Sequence, residues 1–310
     1  MQISILLAQQ IAQLFLILIM GYAVVKAGLL KASDSRVLSV VMVYLVTPCV
    51  IINAFQIDDT PEIRKGLLYS MAIAAAIHVV LLVLSALLSR PLKLDAVEQV
   101  NVIYSNAAAL VIPLVKALMS DAYVIYSCAF IIVQLVLLWT HASSLLQGSS
   151  ALDWKKVLTN INMIAIAAGA LLYWFRVVLP APLQNTMSTV GNMMGPMGML
   201  LAGMAIAEKP LREVFCTRRN YLPTVLRLVV CPLVVLVLLW VCHASSWVAD
   251  GKNILMTVYL AAITPACATV TSMAQLYDRD AAHSSALYVL TTLLSIVSMP
   301  VMIGLFDLLL

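Results

Sequence analysis

Apolar residues run along this chain in ten blocks of about 20, each closed by a short polar break. The blocks lie roughly at residues 7–27, 36–55, 67–89, 97–118, 122–146, 158–179, 187–207, 219–243, 253–276 and 284–308. In lipid only helices and closed barrels satisfy their own backbone groups, and a barrel strand needs only about 10 alternating residues. The pattern therefore predicts an all-α membrane protein of ten transmembrane helices. The first block has no Lys or Arg ahead of it and continues to Val25, longer than the roughly 7–15 apolar residues of a secretory leader, so it reads as the first span.

The breaks carry the orientation. Thirteen of the 18 Lys and Arg, among them Lys26, Lys31, Arg90, Lys155, Lys209 and Arg219, fall after spans 1, 3, 5, 7 and 9 or close by; Arg64, Lys65, Lys116, Arg176 and Lys252 fall on the other side. The positive-inside rule puts the richer set in the cytoplasm and both termini outside, in a plasma (inner) membrane. The polar stretch 148–157 divides the chain into halves, 1–147 and 158–310, of five spans each. An odd number of spans per half forces any repeat to be inverted. Gly21 precedes Pro48 by 27 residues, and Gly169 precedes Pro196 by the same 27.

Composition agrees with the pattern. Hydrophobic residues make up 63% and charged ones 10%, and mean hydropathy is +1.04, which leaves too little polar surface for a soluble domain. The net charge of +4 is small and spread out, which excludes a nucleic-acid binder. Cys49, Cys128, Cys216, Cys231, Cys242 and Cys267 lie singly in apolar runs and read as small buried hydrophobes.

Candidate chemistry sits at two interior breaks, Ser105-Asn106 through Pro113 in span 4 and Thr264-Pro265 in span 9. Proline removes a donor and clashes one turn back, so a broken span frees polar groups that mid-membrane tolerates only beside protein or a wet cavity. If the two spans cross, half-helix N-termini bring N–H groups and partial positive charge to one place, which attracts a small anion. Most prolines in membrane helices are only kinks; the company of Asn106, Thr264, Thr269 and Thr271 is what favours a site here.

At these residues the chain resembles the auxin efflux carrier family, whose fold is related to the bile acid:sodium symporters. Asn106, Ile112, Pro113 and Lys116 match its fourth-span signature, Pro265 and Tyr277 its ninth, Gln134 and Thr140 its fifth, with Trp139 at an aromatic position, and Pro300 its tenth. Gly21 and Pro48 match earlier positions, so the likeness covers about residues 10–306. Ser105, Ala266 and Val270 depart from the plant members, which makes auxin a poor substrate; smaller carboxylates such as malate, malonate or lactate fit better. The resemblance implies two inverted five-helix repeats, crossing helices 4 and 9 in a moving domain, a scaffold of spans 1, 2, 6 and 7 that forms a homodimer, and elevator-type alternating access.

The resulting expectation is a secondary transporter of small organic acid anions. Its carboxylate is held near Asn106, Ser105, Thr264 and Pro265, with Gln134, Trp139 and Thr47 shaping the remainder and Pro113 and Pro265 breaking the helices. No Asp or Glu falls in mid-span, so uniport or potential-driven transport leads; a sodium- or proton-coupled symporter is the alternative, and no cofactor is expected beyond a possible sodium ion. Glu98 and Asp307 read as solvated span ends, Arg227 as a snorkelling residue, and His78, without a second ligand at metal spacing, as a packing histidine. A membrane-embedded enzyme lacks its nucleophile, metal or aspartate-pair motifs, and a channel lacks charge rings or a repeated filter.

Overall fold

A computed structural model describes residues 2–56, 60–148, 159, 161–208 and 211–310. The greater part of the predicted linker 148–157 lies outside the described residues. Among the described residues every element is helical, and the single β contact is an isolated bridge between Ser105 and Ala266. The first half holds α1 (Gln2–Lys26), α2 (Ser35–Val41), α3 (Thr47–Ala54), α4 (Pro61–Ser89), α5 (Ala96–Ile103), α6 (Ala107–Leu118), α7 (Val124–Leu137) and α8 (Ser143–Gln147). The second holds α9 (Ile161–Trp174), α10 (Ala181–Gly191), α11 (Met194–Glu208), α12 (Leu211–Cys216), α13 (Tyr221–Val225), α14 (Cys231–Val241), α15 (Gly251–Ile263), α16 (Ala268–Leu276) and α17 (Ala281–Leu309).

Four continuous stretches are long and apolar enough to cross a bilayer: Pro61–Ser89, Val124–Gln147, Arg218–Val241 and Ala281–Leu309. They fall on predicted spans 3, 5, 8 and 10. Spans 4, 7 and 9 are interrupted instead. Tyr104–Asn106 separates α5 from α6, Asn192 and Met193 separate α10 from α11, and Thr264–Cys267 separates α15 from α16, whereas in span 2 a π turn at Met42–Val46 joins α2 to α3 without a gap. The break in span 7 gave no signal beyond the Gly191-Asn192 pair.

The long helices carry the surface of a lipid-solvated protein. On α4, Tyr69, Ile73, Ile77 and Leu81 are buried while Leu68, Val79, Val83 and Leu87 are exposed, so an apolar inner face is backed by an equally apolar outer one. A water-solvated helix would carry charge there.

Two packings sort the helices. α1 runs along α11, and α3 lies against α9 and α10. Small residues set both approaches, as membrane packing favours. A Cβ at Gly203 would lie 1.9 Å from the Leu18 carbonyl oxygen, one at Gly21 2.3 Å from that of Leu200, and one at Gly169 2.4 Å from Phe55 Cδ2. In the second group α4 packs on α7, α15 on α4, α6 and α7, and α17 on α16 and α5. α15 is enclosed from Ile254 to Ile263, without a face to lipid.

Several expectations are corrected. Pro113 lies inside α6, seven residues beyond the observed break, so it does not interrupt span 4. Cys216 and Cys242 are exposed, because both fall where a helix ends, and Cys49 is half-buried. Glu98 is fully buried. It forms a capping box with Asp95, is bonded twice by the Arg219 guanidinium, and lies 3.3 Å from His283 Nε2, so packing of span 4 against spans 8 and 10 replaces the headgroups as its partner.

Candidate functional site

α5 ends because Tyr104 turns extended (φ −95°, ψ 127°), and α15 ends in the same way at Thr264 (φ −61°, ψ 155°). The two extended pieces run antiparallel. The Asn106 N–H donates to the Pro265 carbonyl at 2.8 Å, and the Cys267 N–H donates to the Tyr104 carbonyl at 3.1 Å. A two-stranded contact one residue pair long thus stands at the crossing of two broken helices.

Such a contact leaves its outer edges unpaired, and in lipid each edge needs a partner. On the first strand the Gln134 amide supplies it. Its Oε1 accepts from the Ser105 N–H at 3.0 Å and from the Ser105 hydroxyl at 2.8 Å, while its Nε2 donates to the Ser105 carbonyl at 2.8 Å. The side chain from α7 acts as a third strand. On the second strand the Thr291 hydroxyl of α17 accepts from the Ala266 N–H at 3.1 Å while donating to the Leu287 carbonyl of its own helix.

The ends of α5 and α15 converge on Arg227, which is 1% exposed and lies in the π turn Leu226–Val230 between α13 and α14. Its guanidinium donates to the carbonyls of Val102, Ile103, Ala262 and Thr264. The snorkelling reading is therefore wrong. Arg227 points inward because the orphan carbonyls of two helix ends lie there, and no headgroup is needed. Sequence reasoning missed Arg227 and Thr291. A signal for Arg227 existed, since it stands eight residues inside predicted span 8, about 12 Å at the helical rise.

The predicted site residues divide accordingly. Ser105, Gln134, Thr264 and Pro265 meet at the crossing and use their polar groups to build it; the Thr264 hydroxyl bonds back to the Ala261 carbonyl at 3.0 Å. Asn106 is different. Its side chain is 7% exposed, precedes the first turn of α6 without capping it, and makes no hydrogen bond among the described residues. Thr47 is buried and bonds back to the Met42 carbonyl at 2.9 Å at the π turn of the second span. Trp139 is half-buried in the π turn Leu138–Ala142 and makes no hydrogen bond to the crossing. His78 is packed, its ring 4.5 Å from that of Phe130 and its Nδ1 2.8 Å from the Ala74 carbonyl.

A cavity of about 410 Å³ lies beside the crossing, between α3, α6 and α10. Its polar lining comes from Asn53, Gln56, Lys116, Gln184, Asn185 and Ser188, and its apolar lining includes Val50, Ile112 and Met194. Ile112 is six residues along α6 from Asn106, about 9 Å at the helical rise, so the cavity stops short of the crossing.

Broken helices crossing inside an apolar bundle define the class of multi-pass membrane transport proteins. The sequence matches the membrane transport protein family, whose members are auxin efflux carrier-like, over residues 6–153 and 149–303. The chain belongs to that family. Comparison with individually curated proteins gives no match.

Proposed function

We propose that this protein is a secondary carrier of small organic acid anions, with malate, malonate and lactate as the first candidates, working by elevator-type alternating access as a uniporter or potential-driven carrier. The observation that carries this reading is the unpaired, nearly buried Asn106 amide at the start of α6. An amide offers two donors, and the adjoining helix beginning adds N–H groups and the positive end of a helix dipole.

The surroundings support the rest. Interruption of spans 4 and 9 is the correspondence expected of inverted repeats spanning 1–147 and 158–310. Packing of span 1 on 7 and of span 6 on 2 fits the same relation, as do edge partners taken from spans 5 and 10. With the orientation that the Lys and Arg distribution predicts, the cavity faces outward. Lys116 on the cavity wall then gives an anion its first attraction. Ser105, Gln134, Thr264 and Pro265 belong to the crossing beyond the cavity and are the proposed substrate-holding residues once the moving domain has shifted. Thr47 and Trp139 remain proposed wall residues. The moving domain carries α4 to α8 and α13 to α17 past a scaffold of α1 to α3 and α9 to α11.

The test is thermal stabilisation of the purified protein by mono- and dicarboxylates, each with sodium or potassium and at two pH values. A ligand of the folded state raises apparent stability by mass action. Sodium-independent stabilisation by a carboxylate is expected. Stabilisation by cations or uncharged compounds alone would remove the anion reading.

A further inference from the structure

Arg227 answers a problem that the crossing creates. α5 and α15 both end inside the bundle, and each leaves carbonyls without helical partners and a partial negative charge. Two such ends brought together repel, and they meet in the interior, where Arg227 is 1% exposed. A ring of converging carbonyl oxygens is what a monovalent cation from solution would bind.

Here the ring is filled by the chain itself. The Arg227 Nε donates to the Thr264 carbonyl at 3.1 Å, Nη1 to those of Val102 and Ile103, both at 3.1 Å, and Nη2 to those of Ala262 and Thr264. All these acceptors belong to the last turns of the two half-helices or to the residue that follows. Guanidinium suits the place, being permanently charged, planar and a donor only, so every N–H meets an acceptor. Among the described residues no carboxylate pairs with it, and its hydrogen bonds all go to main chain.

We propose that Arg227 is a tethered internal cation, filling the position that sodium or potassium would otherwise occupy at this crossing, so that the substrate site assembles without any ion from solution. Arg227 is a positioning residue. It is buried behind the strand contact, and it sets where Ser105 and Asn106 stand by fixing the helix ends that lead into them. Coupling to an alkali cation is then unnecessary, because the charge such an ion would bring is already covalently attached. The inference rests on the carrier reading for its consequence but is tested without a substrate.

The experiment compares the full-length wild type with Arg227→Ala in detergent, in N-methylglucamine chloride and after part of that cation is replaced by sodium, potassium or guanidinium at constant ionic strength. The wild type is expected to unfold at the same temperature in all three alkali-free and alkali media. Arg227→Ala is expected to unfold about 5 °C or more lower, and to regain most of the loss in guanidinium or in one alkali cation that leaves the wild type unmoved. A wild type that needs sodium, a variant as stable as the wild type, or a loss that no cation repairs would each overturn the proposal. If Arg227→Ala does not insert, Arg227→Lys and Arg227→Gln decide. The charge-keeping variant is expected to be indifferent to alkali cations and the neutral one to need them, and equal behaviour overturns the proposal. Failure of the carrier reading is a separate result, in which no carboxylate stabilises the wild type in any medium.

Discussion

The breaks in spans 4 and 9 reach one geometry by different chemistry. Span 9 is interrupted at Thr264–Cys267 with Pro265 inside the break, where proline has no N–H to give to a helix. Span 4 is interrupted at Tyr104–Asn106 with no proline there, and Pro113 is carried inside α6 as a single missing bond. What holds span 4 open is Gln134, which meets three groups of Ser105; Ala266, its counterpart in the contact, needs only the Thr291 hydroxyl. A proline makes a break locally, whereas a break without one has to be held from another helix. Span 4 should therefore depend more heavily on its distant partner than span 9 does.

The sharpest way to break this comparison is Gln134→Leu. It removes an amide of similar size and leaves the buried N–H, hydroxyl and carbonyl of Ser105 without partners, each worth about 1 kcal/mol or more. A loss on the order of 3 kcal/mol should appear as a lower thermal unfolding midpoint in detergent. An unchanged midpoint would mean that span 4 keeps its break unaided.

Asn106→Ala separates building from binding. Because the amide makes no hydrogen bond in the unliganded protein, stability should stay within about 0.5 kcal/mol of wild type. Carboxylate affinity should nevertheless fall by about 1–3 kcal/mol, read by titrating the stabilising acid, since a charge-assisted bond is lost. Wild-type affinity in a normally inserted variant would remove Asn106 from the site.

On the span 9 side, Thr291→Val keeps the shape and deletes one acceptor, that of the Ala266 N–H. The expected loss is about 1–2 kcal/mol, smaller than for Gln134→Leu, and the reverse ranking in the same unfolding assay would invert the comparison. The smallest effect belongs to Lys116→Met at the cavity wall. Uptake into proteoliposomes should show a KM about two- to three-fold higher at low ionic strength, a difference that fades as salt screens the charge. A salt-independent change would assign Lys116 to packing.

Much of this was legible in the chain. The apolar blocks and scarce charge identify a multi-pass helical membrane protein, because partition into lipid is set by the local sum of side-chain transfer energies. The Ser105-Asn106 and Thr264-Pro265 pairs mark both breaks, since polar or proline residues in mid-span are costly enough in lipid to stand out. The family likeness follows from the same residues. Two readings failed for one reason. Arg227 and Glu98 were judged by their own helix, whereas their positions are decided by what other helices bring beside them.

Tertiary structure alone decided that Ser105 pairs with Ala266, that Gln134 serves as a strand edge 29 residues away, and that Arg227 caps carbonyls 124 and 125 residues earlier in the chain. Hydropathy is additive along the sequence and can be read one window at a time. Hydrogen-bond satisfaction inside a membrane is not additive in that sense: each freed backbone group must find a partner in three dimensions, and which residue supplies it is known only once the helices have packed.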